Sequence, residues 1–178
     1  DKDEHGVQWN FLKASDRAKC RARIAEEKPF IVIGSPPCTM FSSLQIFNRK
    51  FMESPDGRRQ LAEAHVLLNF SIDIYTMQLA AGRHFLHEHP AGASSWTTEK
   101  MTRLMSDPRV GSTIAHMCQF GMTTTGKDGS LMPVRKATKF ACSSPLILDE
   151  ISRRCDGSHE HQRLVDGRAR RAQIYPTK

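Results

Sequence analysis

Apolar and polar positions follow two rhythms along this chain, and the switches between them mark its elements. Residues 30–33, Phe-Ile-Val-Ile, form a short unbroken apolar run closed by Gly34. The run is β-branched and too short for a core helix, so it reads as a strand buried on both faces, as in a parallel sheet. Ahead of it, Ser15 or Asp16 is placed to cap a helix reaching about Glu27, with a thin apolar face of Ala18, Ala22, Ile24 and Ala25. Over 59–81 the helical rhythm is full. Leu61, Ala64, Leu67, Leu68, Ile72, Tyr75 and Leu79 recur at helix spacing, and Gly82 ends it. Residues 84–90 read as a short strand halted at Pro90, and Thr97-Thr98-Glu99 opens another helix carrying Met101, Leu104 and Met105. Residues 112–120 suit a strand, 121–129 a polar hairpin-like connection, 134–143 an alternating half-buried strand, and 172–175 a last apolar element. The order predicts one α/β domain over 1–178 with a mainly parallel sheet flanked by helices.

Composition narrows the class. With 178 residues, 39% hydrophobic and 25% charged, the chain can bury a core and is not a disordered tract. The net charge of +7 and pI near 9.4 suit a polyanionic partner, and equally suit a merely basic protein. Five cysteines, at 20, 38, 118, 142 and 155, make an odd set with no disulfide framework. That predicts a reducing, intracellular location, cytoplasmic or nuclear. No apolar run approaches the roughly 18 residues of a membrane span, so no membrane partner is expected. No signal peptide is visible, and the opening Asp1-Lys2-Asp3-Glu4-His5 reads as cut from something longer.

Candidate chemistry gathers at strand tips. Pro36 and Pro37 force the chain off the sheet after Gly34-Ser35, leaving Cys38 just beyond the carboxyl end of the first strand. Ligands of open α/β sheets bind there. Cys38 reads as a small buried hydrophobe or as a nucleophile on a stiffened loop. Glu88 sits at the tip of the strand over 84–90, on the same edge in a parallel sheet. Its flanking His87 and His89 share a strand face, as metal ligands would, or are satisfied polar histidines. Arg49, Lys50, Arg58 and Arg59 make the loop after Cys38 basic, and a second basic run covers 163–171. Each fits phosphate contact or a solvated surface. Cys155, His159 and His161 read as a partial zinc site, whose fourth ligand must come from afar with Cys142 and Cys118 as candidates, or as an exposed polar turn.

The word Gly34-Ser35-Pro36-Pro37-Cys38-Thr39-Met40-Phe41-Ser42 resembles the catalytic loop of cytosine-5 DNA methyltransferases of the phage and mobile-element type. Phe85-Leu86-His87-Glu88-His89-Pro90 looks like the family's Glu-Asn word, with His89 in place of Asn. Cys118-Gln119-Phe120-Gly121 and the later Arg135-Lys136-x-Thr138 are similar to its later words. The resemblance implies a Rossmann-like fold, truncated at its cofactor-binding front because no Gly-rich strand precedes Cys38. It implies Cys38 as nucleophile, Glu88 as the acid gripping a flipped cytosine, and Pro37, Ser42, Arg135 and Lys136 as substrate contacts. DNA is the implied partner and S-adenosylmethionine the implied methyl donor, with Trp9 bordering its adenine. The alternative expectation is a catalytically inactive nucleic-acid-binding module keeping that fold, stabilised by zinc.

Overall fold

The computed structural model of this chain describes residues 6, 8–126 and 128–164. The element expected at 172–175, and all but Arg163 and Leu164 of the basic run, lie outside the described residues.

The chain opens with an aromatic stack, Trp9 on Phe11 and Phe11 on Phe70, with centroids 5.6 and 5.0 Å apart. Helix α1 (Ala14–Glu27) follows. Its N-cap is Lys13, without a side-chain cap. Asp16 instead accepts the Asn10 N–H at 2.9 Å, tying the incoming chain to the helix. Strand β1 (Ile31–Gly34) leads through 3-10 turns at Thr39–Phe41 and Ser43–Asn48 into α2 (Arg49–Glu53). Helix α3 (Pro55–Ala80) starts four residues before the apolar rhythm does. Ser54 accepts the Gly57 N–H at 3.1 Å and Pro55 presets the first turn. Then come β2 (His84–Pro90), α4 (Glu99–Met105), β3 (Gly111–His116), a 3-10 turn at Met117–Phe120, β4 (Thr123–Thr125), β5 (Leu131–Pro133), β6 (Ala137–Cys142) and α5 (Pro145–Ile151).

The expected mainly parallel, Rossmann-like sheet does not form. The main sheet is mixed, with order β1-β2-β6-β3. Only β1 and β2 are parallel neighbours, while β6 runs antiparallel to both β2 and β3. The physical reason lies in the connection. After β3 the chain makes the small β4–β5 hairpin, turns back, and slots β6 between β2 and β3. Antiparallel return through a short connection needs no crossover helix. The first strand also differs from expectation. β1 is an edge strand, with Ile33 69% and Phe30 72% exposed, so its apolar run is not buried on both faces.

Side chains alternate across the sheet. Phe85, His87 and His89 of β2 point to the side covered by α3, where Leu68, Ile72, Tyr75 and Leu79 join Met101 and Leu104 of α4 in the main core. Helix α5 packs on β3 and β6, with Leu148 against Gly111. A second, smaller core gathers Ala115, Met117, Met122 and Val134, with Phe120, Phe140 and Leu164 against it. It sits where residues 152–164, which form no helix or strand, return to the end of β3. His116 N–H donates to Arg153 O and Gln162 N–H to Pro133 O, both at 2.9 Å.

Candidate metal centre and the Cys38–Glu88 rim

The return segment carries the partial zinc motif, and the turn after β3 supplies its missing ligand. Cys118, Cys155, His159 and His161 present ligand atoms that all lie within 4.8 Å of one another. Cys155 Sγ is 3.6 Å from His159 Nε2 and 3.5 Å from His161 Nε2, and His161 Nε2 is 3.4 Å from Cys118 Sγ. Zinc–sulfur and zinc–imidazole bonds of about 2.3 and 2.0 Å give a sulfur–nitrogen edge of roughly 3.6 Å in a tetrahedron. The observed spacings match that edge. Two thiols and two imidazoles are the donor set of a closed structural zinc site, so the residues present fit the ion. The surroundings orient them. Cys155 N–H donates to His116 Nδ1 at 2.9 Å, and Gly157 N–H donates to Cys155 Sγ at 3.3 Å. Burial raises the Cys118 thiol and the neighbouring Cys155 raises it further. Burial lowers His161, helped by His159 and Arg135. A cation at the centre would favour the Cys118 thiolate that burial opposes and the neutral His161 imidazole that burial already favours.

Of the two distant cysteines, the structure selects Cys118. Cys142 is fully buried at the end of β6 beside α5, with its sulfur accepting the Ser144 N–H at 3.3 Å. The signal for Cys118 was its place at the end of a strand; its nearness to His161, 43 residues on, is a tertiary fact.

The second constellation lies at the carboxyl ends of β1 and β2. Parallel pairing with Gly34 opposite His87 brings the Ser35–Cys38 loop to the tip bearing Glu88. Ser35 Oγ donates to Glu88 Oε2 at 2.5 Å, and Glu88 itself is buried. Cys38 is half-buried; burial pushes its thiol up and the Glu88 carboxylate adds to that, against a smaller lowering from Lys136. Burial in turn lowers the Lys136 ammonium, countered by Glu88 and Cys38. The four residues are thus one electrostatic unit. Sequence reasoning missed Ser35, and it grouped Arg135 with Lys136. The structure places Lys136 at Glu88 and leaves Arg135 exposed, near His116 and His161.

The remaining expected contacts separate. Pro37 is exposed on the rim. Ser42 accepts the Leu44 N–H at 3.3 Å, so its hydroxyl caps a 3-10 turn. His87 and His89 are no metal pair. His89 donates to Pro36 O at 2.8 Å and accepts from Ser95 Oγ at 2.6 Å, while His87 lies 3.0 Å from Tyr75 Oη. Trp9 stacks on Phe11 and does not line the cavity of about 360 Å³ beside β1.

These observations correct the methyltransferase reading. The sheet lacks the parallel arrangement that holds S-adenosylmethionine, since β6 runs antiparallel beside β2. The cavity beside β1 is lined by such residues as Ile24, Val32, Phe70 and Tyr75 and by no Asp, Glu, Lys or Arg, so nothing there takes the cofactor's charged amino-acid end. Burial also holds the Cys38 thiol protonated rather than activating it. Among the described residues no helix is long and apolar enough to cross a membrane. Comparison with protein-family models, curated proteins and solved structures gives no match, so the reading of this chain rests on its own geometry.

Proposed function

We propose that this chain is a metal-stabilised nucleic-acid-binding module without methyl transfer, its partner DNA. The observation that carries this reading is the convergence of Cys118, Cys155, His159 and His161 within 4.8 Å. Zinc there pins the irregular segment after α5 onto the second core. A segment with so few apolar residues needs such a clamp. The same clamp sets the surface charge. Arg135 lies near His116 and His161, and the adjoining Lys136 lies near Glu88 and Cys38. One dipeptide therefore joins metal centre and rim. In this reading Arg135 and Lys136 hold backbone phosphates, and Cys38, Pro37 and Glu88 border the strand they hold.

The test uses the full chain. Metal analysis of purified protein is expected to give one zinc per chain, and fluorescence anisotropy with labelled DNA an affinity that falls steeply with salt. Arg135→Ala should weaken binding evenly across sequences and reduce the salt slope by about one. A metal-free protein of unchanged stability, or no DNA binding at low salt, refutes the reading.

A further inference from the structure

The loop after Cys38 carries an apolar ridge that nothing in the fold covers. Leu44, Ile46 and Phe47 are 60, 79 and 82% exposed, and Phe51, one turn beyond Phe47, is 37% exposed. These side chains stand on the Ser43–Asn48 turn and α2. The turn is built rather than loose: Ser42 caps it, Gln45 Nε2 donates to Thr39 O at 2.9 Å, and Asn48 Nδ2 donates to Gln45 Oε1 at 3.2 Å. Between ridge and α3 runs a groove of about 660 Å³ lined by Phe41, Ile46, Arg49, Met52, His65 and Thr97 among others. The ridge sits at the rim, since Ser94 beyond the tip of β2 donates to Phe41 O at 3.4 Å.

Charge decides what fits there. Residues 42–59 hold four basic side chains, Arg49, Lys50, Arg58 and Arg59, against two acids, Glu53 and Asp56. Arg49 pairs with Glu53 and Arg59 with Asp56. Lys50 and Arg58 have no carboxylate partner among the described residues. Their charge disfavours a second copy of this chain, which carries +7, and favours a polyanion. Exposed aromatic and aliphatic side chains bordered by cations are the elements of a base-stacking platform. Stacking needs open base faces, which a duplex hides and a single strand offers.

We infer that the Leu44–Ile46–Phe47 ridge is a stacking platform for single-stranded DNA, with Lys50 and Arg58 on the adjoining phosphates. This rests on the nucleic-acid reading and adds strand selectivity to it. DNA is the occupant carried over from the nucleic-acid reading, and a ribose strand is an outcome of the test.

Anisotropy titrations of the full chain against labelled oligothymidylate, its duplex with oligodeoxyadenylate, and oligouridylate test this. The single DNA strand should bind tightest. Phe47→Ala should weaken it about tenfold while leaving duplex affinity unchanged. Phe47 is exposed, so the variant keeps its fold, which its melting profile verifies. Duplex bound as tightly as single strand, or Phe47→Ala without effect, overturns the platform and leaves the nucleic-acid reading standing. Tighter binding of oligouridylate overturns the DNA assignment. Failure of wild-type protein to bind any of the three removes the underlying reading itself. Sedimentation of wild type and Phe47→Ala gives a further check: a dimer lost in the variant means the ridge is a self-association surface and the inference is wrong.

Discussion

Tyr75 Oη sits 3.0 Å from His87 Nδ1, a side-chain hydrogen bond sealed between α3 and the sheet. Tyr75 is 1% and His87 0% exposed. Burial raises the Tyr75 phenol, so the hydroxyl stays protonated, and the His87 tautomer decides which of the two groups donates. His87 Nε2 is the buried side-chain atom without a partner among the described residues, with the Trp96 ring standing T-shaped 5.2 Å from the imidazole.

A buried neutral histidine makes the fold acid-sensitive. Desolvation pushes His87 down to about 3, with His89 adding to the effect, from the 6.5 of an exposed ring. Because the folded value is depressed, the stabilisation is complete above pH 6.5 and is lost as pH falls toward 3. From pH 7.5 to 5.5 it should decline by about 1.4 kcal/mol. Urea unfolding at both pH values, in wild type and His87→Met, measures it. The metal site is common to both proteins, so the difference between the two pH slopes belongs to His87. Equal slopes would contradict the assignment.

Gly34 is the close-approach point of the same bond. A Cβ there would fall 1.9 Å from Tyr75 Oη, so Gly34→Ala must drive the phenol off His87. Overpacking and the orphaned imidazole together should destabilise by about 2–4 kcal/mol. Tyr75→Phe removes the clashing oxygen, so the double variant should be less destabilised than the two single changes added. Full additivity in chemical denaturation would mean that the two positions do not meet.

Local pattern carried some of this molecule and not the rest. The bounds of β2 followed from a short run stopped by Pro90, and α3 from its unbroken apolar spacing. Cys155, His159 and His161 were legible because a turn brings close neighbours in sequence together. Cys118 was one of two candidates, and only the return of the chain past the second core chooses it over Cys142. Strand neighbours were not legible at all. Alternation says which residues share a face, but nothing in residues 134–143 records that β6 will enter antiparallel between β2 and β3. An apolar edge strand reads like a central one, which is why Ile33 was expected inside.

The metal centre ties a segment lacking regular structure to the core, so its loss should be felt globally. With free zinc a thousandfold above its dissociation constant, binding adds about 4 kcal/mol, which chelation removes. Cobalt(II) titrated into the apo chain should give the strong visible absorption of a tetrahedral site with two thiolates. Cys118→Ser should weaken that absorption, while Cys142→Ser, a buried position away from the cluster, should leave it intact. Loss of the signal on changing Cys142 but not Cys118 would reverse the ligand assignment.

The rim predicts an unusually sluggish thiol with a readable electrostatic signature. Burial and the Glu88 carboxylate both hold Cys38 above its ordinary value of 9, while Lys136 opposes them. Since the thiolate is the reactive form, alkylation by iodoacetamide at neutral pH should be slower than for a small free thiol, rising with a midpoint above 9. Glu88→Gln removes a raising influence and should shift the midpoint down. Lys136→Met removes the lowering one and should shift it up. Peptide-resolved mass spectrometry separates Cys38 from the other cysteines along a pH series. If Glu88→Gln leaves the Cys38 midpoint in place, or moves it upward, the carboxylate does not act on the sulfur, and the two strand tips do not work as one site.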